Sequence, residues 1–152
     1  MNKIFKNTFF YQFLIALIGT IFSFTSVVFD FTNYYNNCGT IFISNSATIP
    51  HPFATPCFYG AFAFLTALIL SYLILFKQKK SQKYLVSLAA FGSAFAWGNM
   101  FLEFNKFFAA KGSPYTGCSG ATVTNPFLTA CFGGSVIFLI LFIFSFRNKK
   151  TL

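Results

Sequence analysis

The sequence predicts an all-α integral membrane protein: a four-transmembrane-helix bundle built from two tandem, parallel two-helix repeats. Three observations favour this fold class. Of the 152 residues, 56% are apolar and only 9% are charged, which lies far outside the composition of soluble domains. Four apolar stretches approach the length that crosses a bilayer, and the first half of the chain is similar to the second. We expect residues 1–152 to form a single membrane domain.

The four predicted spans follow from the length of the apolar stretches. A helix needs roughly 20 mostly apolar residues to cross about 30 Å of hydrocarbon. In chain order, the stretches are residues 9–29, 58–76, 84–104 and 132–146. The last stretch is short, and extending it back through Pro126 to Ala130 gives it a spanning length. The first stretch is longer than the apolar core of a signal peptide, so we expect it to be retained.

The distribution of basic residues predicts the orientation, because Lys and Arg near a span are retained in the cytoplasm. Nine basic residues flank the predicted spans on one side, against Lys106 and Lys111 on the other; the nine are Lys3, Lys6, Lys77, Lys79, Lys80, Lys83, Arg147, Lys149 and Lys150. Both termini and the middle loop should therefore be cytoplasmic, and the loops at about 32–57 and 105–131 should face outward. A plasma or inner membrane is the expected location.

The net charge of +9 does not indicate a nucleic-acid partner. A nucleic-acid binder gathers its Lys and Arg on one soluble face or groove, whereas these basic residues flank apolar segments. The lipid bilayer is the expected environment, with other membrane subunits or a second copy of the chain as possible partners.

An internal repeat is visible when the chain is shifted along itself. A shift of 73 residues places Tyr11 on Tyr84, Gly19 on Gly92 and Asp30 on Glu103. A shift of 74 residues aligns block 51–60 with block 125–134, and the two blocks share identical Pro, Phe, Thr, Cys, Phe and Gly residues. The motif residues we single out are Pro52, Phe53, Thr55 and Gly60 in the first block and Pro126, Phe127, Thr129 and Gly134 in the second. We predict a tandem duplication, with repeat 1 at about 8–80 and repeat 2 at about 81–150.

Each motif block is expected to begin a helix. Proline fits a first helical turn because its missing N–H costs nothing there, and the threonine three residues later is placed to cap free N–H groups. The glycine should allow close helix contact. In the alternative interpretation, the positive end of the helix dipole stabilises a reactive cysteine thiolate.

The four cysteines, Cys38, Cys57, Cys118 and Cys131, permit three disulfide pairings. Since each repeat contains one loop cysteine and one at the start of its second helix, symmetry favours Cys38 with Cys57 and Cys118 with Cys131. An outward compartment is oxidising in most cells, so we expect structural disulfides that hold each outer loop to a helix end.

The number of helices and the side of the cysteines resemble bacterial disulfide-bond formation protein B and the vitamin K epoxide reductases. Those families rely on a Cys-x-x-Cys pair near a quinone. This chain contains no Cys-x-x-Cys, and Cys131 at the start of the fourth helix is its one suggestive position. The resemblance implies a lipid quinone as cofactor only if the chain is a thiol-disulfide oxidoreductase. No other cofactor is expected.

Asp30 and Glu103 are the only acids, and they occupy equivalent repeat positions near the outer ends of the first and third helices. Two interpretations stay open. The acids could anchor the helices at the interface or help them pack. They could also form an ion or proton site, because ionisable groups at membrane depth tend to face a bundle interior or a polar pathway. Asn99 lies four residues before Glu103 on the same helix face, which should point inward. His51 has no companion at metal-ligand spacing, so we expect a turn role for it and no metal site.

The sequence leaves three classes of function. The leading expectation is a non-catalytic membrane subunit or a structural or interaction protein, because every repeated residue has an adequate structural role. The second is a quinone-coupled thiol-disulfide oxidoreductase, and the third is a small transporter or channel. No phosphate loop, Ser-His-Asp set or dinucleotide fingerprint supports a common soluble enzyme.

Overall fold

The computed structural model describes residues 3–39, 50–76, 80–117 and 122–150. Its α-helices are α1 Lys3–Cys38, α2 Pro56–Leu75, α3 Ser81–Ala109 and α4 Ala130–Lys150. Short 3-10 turns, Pro52–Ala54 and Pro126–Leu128, precede α2 and α4. Between α3 and α4, strands β1 Tyr115–Thr116 and β2 Thr122–Val123 pair antiparallel, with Tyr115 opposite Val123.

All four helices are long and apolar enough to cross a membrane; the qualifying segments are Thr8–Cys38, Pro56–Leu75, Ser81–Ala109 and Ala130–Asn148. Large apolar side chains cover the outside of the bundle, as with Phe91, which is 72% exposed. Such a surface matches lipid tails and would be unfavourable in water. These findings confirm the predicted class, a helical multi-pass protein suited to a lipid bilayer.

Local sequence signals explain where the helices begin and end. Gly39, with a φ of 69°, follows α1 and donates its N–H to the Tyr35 carbonyl, which is a common helix-ending arrangement for glycine. Pro56 occupies the first turn of α2, where its missing N–H is tolerated. After α3, Lys111 and Gly112 both have positive φ and turn the chain toward β1.

The odd helices are longer than the apolar stretches predict. α1 contains 36 residues and α3 contains 29, against 20 in α2. The polar residues at the end of α1, from Thr32 to Cys38, were expected in a loop but continue the helix. Hydropathy marks only the part of a helix that can lie in hydrocarbon, so it underestimates a helix that continues beyond it.

The helices pack in a ring in the order α1, α2, α3, α4, and the diagonal pair α2 and α4 also touch. We call the end that carries the two 3-10 turns the loop end, and the end where α1 begins and α4 ends the terminal end. Thr20, Thr25 and Thr66 each donate a hydrogen bond of 2.8 Å to the carbonyl four residues earlier. These bonds satisfy hydroxyl groups that hydrocarbon would leave unpaired.

The centre of the bundle is built around two glycine–phenylalanine contacts. A Cβ atom added to Gly19 would lie closer than 3.0 Å to the Phe64 ring, and one added to Gly92 would lie equally close to the Phe138 ring. The two rings stack on each other with centroids 3.8 Å apart. The absence of side chains at both glycines therefore allows a pair of aromatic rings to fill the middle of the bundle.

Candidate functional site

The two acids of the chain lie in the interior of the loop end. Asp30 on α1 is 5% exposed, and Glu103 on α3 is 2% exposed. A carboxylate that leaves water loses hydration worth several kcal/mol, so a bundle that buries both of its acids must compensate them or use them. Their chemical surroundings are therefore the first place to look for function.

The Asp30 carboxyl lies at the beginning of α2. The side chains of Thr55, the residue that precedes α2, and of Cys57, in its first turn, are within hydrogen-bonding reach of this carboxyl. Its Oδ2 atom is buried and has no hydrogen-bond partner among the described residues. The carboxyl thus combines a favourable position at a helix N-terminus with one unsatisfied oxygen.

Glu103 reaches the same region from the opposite helix. The Tyr115 phenol, on β1, lies near its carboxyl. Burial, followed by the nearby charge of Glu103, raises the pKa of Tyr115 above its ordinary value. Cys57 interacts electrostatically with both Asp30 and Glu103, so the two carboxyls converge on one buried thiol. We call these five residues the acid cluster: Asp30, Thr55, Cys57, Glu103 and Tyr115.

The repeated motif blocks form the same turn in both halves. The His51 Nδ1 accepts a hydrogen bond from the Phe53 N–H at 3.4 Å, and the Asn125 Oδ1 accepts one from the Phe127 N–H at 3.0 Å. The Thr55 and Thr129 hydroxyls donate to the carbonyls of Pro52 and Pro126 at 2.8 and 2.7 Å. His51 therefore has the expected turn role.

Two details of the motif differ from the sequence prediction. Pro52 and Pro126 begin separate 3-10 turns, so they are not in the first turns of α2 and α4. Thr129 caps α4 by accepting the Phe132 N–H at 3.3 Å, whereas Thr55 makes no side-chain cap on α2.

The motif phenylalanines anchor each turn to the preceding odd helix. Phe53 packs edge-to-face on Phe31 of α1 and on Phe58 of α2, with centroid distances of 5.1 Å in both contacts. Phe127 makes the corresponding contacts with Phe104 and Phe132, at 5.3 and 5.2 Å. Edge-to-face pairs at this distance are favourable, so each motif fixes the angle at which its helix enters the bundle.

A cavity of about 50 Å³ lies on the bundle axis below the acid cluster. Fourteen of its fifteen lining residues form pairs that are 73 or 74 positions apart: Phe22 with Phe95, Ser23 with Ala96, Ser26 with Asn99, Pro56 with Ala130, Cys57 with Cys131, Gly60 with Gly134, and Phe64 with Phe138. A cavity of this size has the volume for one water molecule, although its walls are almost entirely apolar. Asn99 lines it and donates a hydrogen bond to the Phe95 carbonyl at 2.9 Å.

The prediction of close helix contacts at Gly60 and Gly134 is wrong. A Cβ atom added at either position would meet nothing within 4 Å, because both glycines border the cavity. The close contacts occur instead at Gly19, Gly92 and Gly133, where a neighbouring aromatic ring takes the space of a side chain.

The predicted disulfide between Cys38 and Cys57 is absent, because both cysteines are free thiols. Cys38 ends α1 two helical turns beyond Asp30, a rise of about 12 Å, while Cys57 is buried beside Asp30. The Cα atoms of a disulfide lie only about 4.4–6.8 Å apart, which explains why the two cannot join. Cys118 lies outside the described residues, so the pairing of Cys118 with Cys131 stays a prediction.

A second buried polar cluster, at the terminal end, has no counterpart in the sequence analysis. The amides of Gln12 and Gln82 exchange hydrogen bonds at 3.2 Å, and Asn148 donates to the Gln12 Oε1 at 2.8 Å. The Gln82 amide also donates to the Ser145 carbonyl at 2.7 Å. These side chains, which we call the amide cluster, connect α1, α3 and α4. Gln12 and Gln82 are 70 positions apart, so the shifts of 73 and 74 do not pair them.

The residues that the structure describes contain no group of three His, Cys, Asp or Glu side chains that could hold a metal ion. The chain matches no protein-family model, no curated protein and no solved structure at a significant level. Function is therefore inferred from the geometry of the acid cluster and of the cavities beside it.

Proposed function

We propose that this protein is a small proton-carrying membrane transporter, with Asp30 and Glu103 as the groups that bind the proton. The observation that carries the proposal is the convergence of the only two acids of the chain, both buried, on one side chain inside an apolar bundle. Ionisable groups in such positions commonly mark proton or ion pathways.

Polar groups on both sides of the central rings support a pathway along the bundle axis. The acid cluster lies toward the loop end, and the amide cluster lies at the terminal end. The stacked rings of Phe64 and Phe138 lie between them. Transport would require these rings to move apart. Such a movement is typical of alternating access, in which a central site opens to one side of the membrane at a time.

A purely structural role is the rival account, and it agrees with the expectation of a non-catalytic subunit or interaction protein. Asp30 lies at the N-terminus of α2, where a negative charge stabilises the helix dipole. The two accounts differ in what an amide would do at position 30. Asn has the same shape as Asp and can still accept a hydrogen bond, but it cannot bind and release a proton near neutral pH.

We also propose that the chain arose by tandem duplication and that the two ends of the bundle lie on opposite sides of the membrane. A tandem duplication is supported by the matching turns, aromatic contacts and cavity walls of the two halves. The distribution of Lys and Arg supports a cytoplasmic terminal end and an outward loop end, in a plasma or inner membrane. A bridge between Cys118 and Cys131 would hold the second outer loop.

The direct experiment measures proton flux into liposomes that contain the purified protein and a trapped pH-sensitive dye, with a potential imposed by potassium and valinomycin. We expect flux above that of empty vesicles, a loss of at least about tenfold in Asp30→Asn and in Glu103→Gln, and background flux in the double variant. Asn37→Ala, which changes an exposed side chain on α1, is the control and should conduct like the wild type.

Thermal unfolding of the same samples separates transport from folding. Asp30→Asn should stay close to the wild-type melting temperature because the amide has the same shape as the carboxyl and can still accept hydrogen bonds from the neighbouring side chains. Wild-type liposomes that pass no more protons than empty ones would overturn the proposal and leave the structural role as the better account.

A further inference from the structure

A second, larger cavity opens on the side of the bundle between α1 and α4 at the loop end, with a volume of about 930 Å³. We call it the lateral groove. Its α1 wall includes Ile18, Ile21 and Phe29, and its other wall includes Phe127 and Leu128. These five side chains are between 51% and 84% exposed, so the groove opens onto the face that meets lipid.

The charge of the lateral groove is unusual for this chain. The protein contains 11 Lys and Arg residues against two acids, yet the only charged residue among the described lining residues is Asp30. Asp30 borders both the groove and the acid cluster, and its buried Oδ2 has no hydrogen-bond partner among the described residues. A positive charge in the groove would supply a partner for this oxygen.

The remaining walls suit the apolar part of a ligand. Phe22, Phe29, Phe127 and Phe132 all line the groove. Aromatic faces attract cations, most strongly where water is excluded. The volume also falls within the roughly 300–1,000 Å³ that is typical of small-molecule sites, which combine apolar walls with a few polar groups.

We infer that the lateral groove binds a lipophilic organic cation that enters from the membrane and pairs its positive centre with Asp30. This inference rests on the proposed function, since it gives the proton-binding carboxyl a second ligand and the transporter a substrate class. The apolar body of the cation would contact the aromatic walls, and the carboxylate would select a charged molecule over a neutral one.

The test uses tetraphenylphosphonium as the probe and equilibrium dialysis against the protein in lipid nanodiscs, with empty nanodiscs as the blank. Wild-type protein should bind the probe saturably. Asp30→Asn should weaken binding at least about tenfold, because it removes the paired charge. Neutral triphenylphosphine oxide should bind the wild type at least about tenfold more weakly than the cation.

A matched pair of variants tests the place of binding. Thr25 lines the groove and Thr66 lines neither cavity, and both are exposed threonines whose hydroxyls donate 2.8 Å bonds to the carbonyl four residues earlier. Thr25→Trp should fill the groove and abolish saturable binding, whereas Thr66→Trp should bind like the wild type. Equal binding by the two variants, or equal binding of the charged and neutral probes, would overturn the inference.

The inference and the proposed function fail in different measurements. Proton flux without saturable probe binding would refute the cation site and retain the proton pathway. Probe binding that Thr25→Trp abolishes, in a protein that passes no protons, would refute the transporter and retain the site. Occupation of the groove by a lipid chain or by a second copy would give no preference for the charged probe.

Discussion

Buried polar side chains in this bundle form hydrogen bonds with one another, and Gln12 is the clearest case. It is fully buried and bonds to side chains from two other helices, Gln82 on α3 and Asn148 on α4. In hydrocarbon these amides have no water to replace a lost partner. The removal of Gln12 would therefore take one hydrogen-bond partner from each of two other buried amides.

We predict that Gln12→Leu lowers the free energy of unfolding by about 1–3 kcal/mol, the usual cost of leaving buried polar groups unsatisfied. Reversible unfolding in detergent mixtures measures it. Asn37→Leu, which removes an exposed amide from the same helix, should change stability by less than about 0.5 kcal/mol. Equal losses in the two variants would show that the amide cluster does not stabilise the bundle.

The free cysteines should differ in reactivity, because Cys38 is half-buried at the end of α1 and Cys57 is buried inside the bundle. A water-soluble maleimide should label Cys38 in the folded protein and should label Cys57 only after denaturation. Peptide mapping by mass spectrometry gives both results. Recovery of a disulfide between Cys38 and Cys57 from non-reduced protein would contradict this placement.

The acids were identified from the sequence because they are rare and recur at equivalent positions, while their partners were not. The sequence indicates only a capping role for Thr55, and no sequence pattern marks Tyr115, because the hairpin that carries it has only two residues in each strand. Strands this short lack a readable alternation of apolar and polar residues. The amide cluster was missed because a lone Gln in an apolar stretch does not reveal which helix faces it.

At the scale of elements, glycine positions decide how closely the helices approach. Gly19 and Gly92 receive the rings of Phe64 and Phe138, whereas Gly98 on α3 has open space around it. The sequence contains ten glycines, and nothing in the pattern around them distinguishes these two. Close contact depends on which residue of a neighbouring helix lies opposite, and helix rotation is not encoded locally.

We predict that Gly92→Ala lowers the free energy of unfolding by about 1–3 kcal/mol, the typical cost of overpacking a filled core. Gly19→Ala should behave in the same way because it faces an equivalent ring. Gly98→Ala is the control and should be neutral or stabilising by up to about 1 kcal/mol, since alanine favours a helix over glycine. Stability unchanged in all three would mean that the central rings are not packed against the glycines.

The existence and order of the helices were predictable because apolar length is a strong signal, and their ends were less so. Pro56 and the 3-10 turns set the starts of α2 and α4 through local chemistry. The end of α1 depends on Gly39, seven residues beyond the expected start of the loop at Thr32. Polar residues that leave the membrane can remain helical, so hydropathy does not mark that boundary.

At the scale of the whole molecule, the positions of Lys and Arg predict which end of the bundle is cytoplasmic. Reporter fusions at Lys80 and Gly112 should give opposite signals, with Lys80 inside and Gly112 outside. Lys80 lies at the terminal end just before α3, and Gly112 lies just after it at the loop end. Identical signals at the two positions would contradict the four-span topology.

The central claim is that Asp30 and Glu103 bind protons inside the folded bundle. Infrared difference spectroscopy of the protein in lipid measures this most directly, because a protonated carboxylic acid has a carbonyl band that a carboxylate lacks. We predict that this band grows in the wild type as the pH is lowered. The growth should be smaller in Asp30→Asn and in Glu103→Gln. In the double variant, only the signal of the chain terminus should remain. A difference spectrum that is the same in wild type and double variant would contradict the claim, because the buried acids would then keep a fixed protonation state.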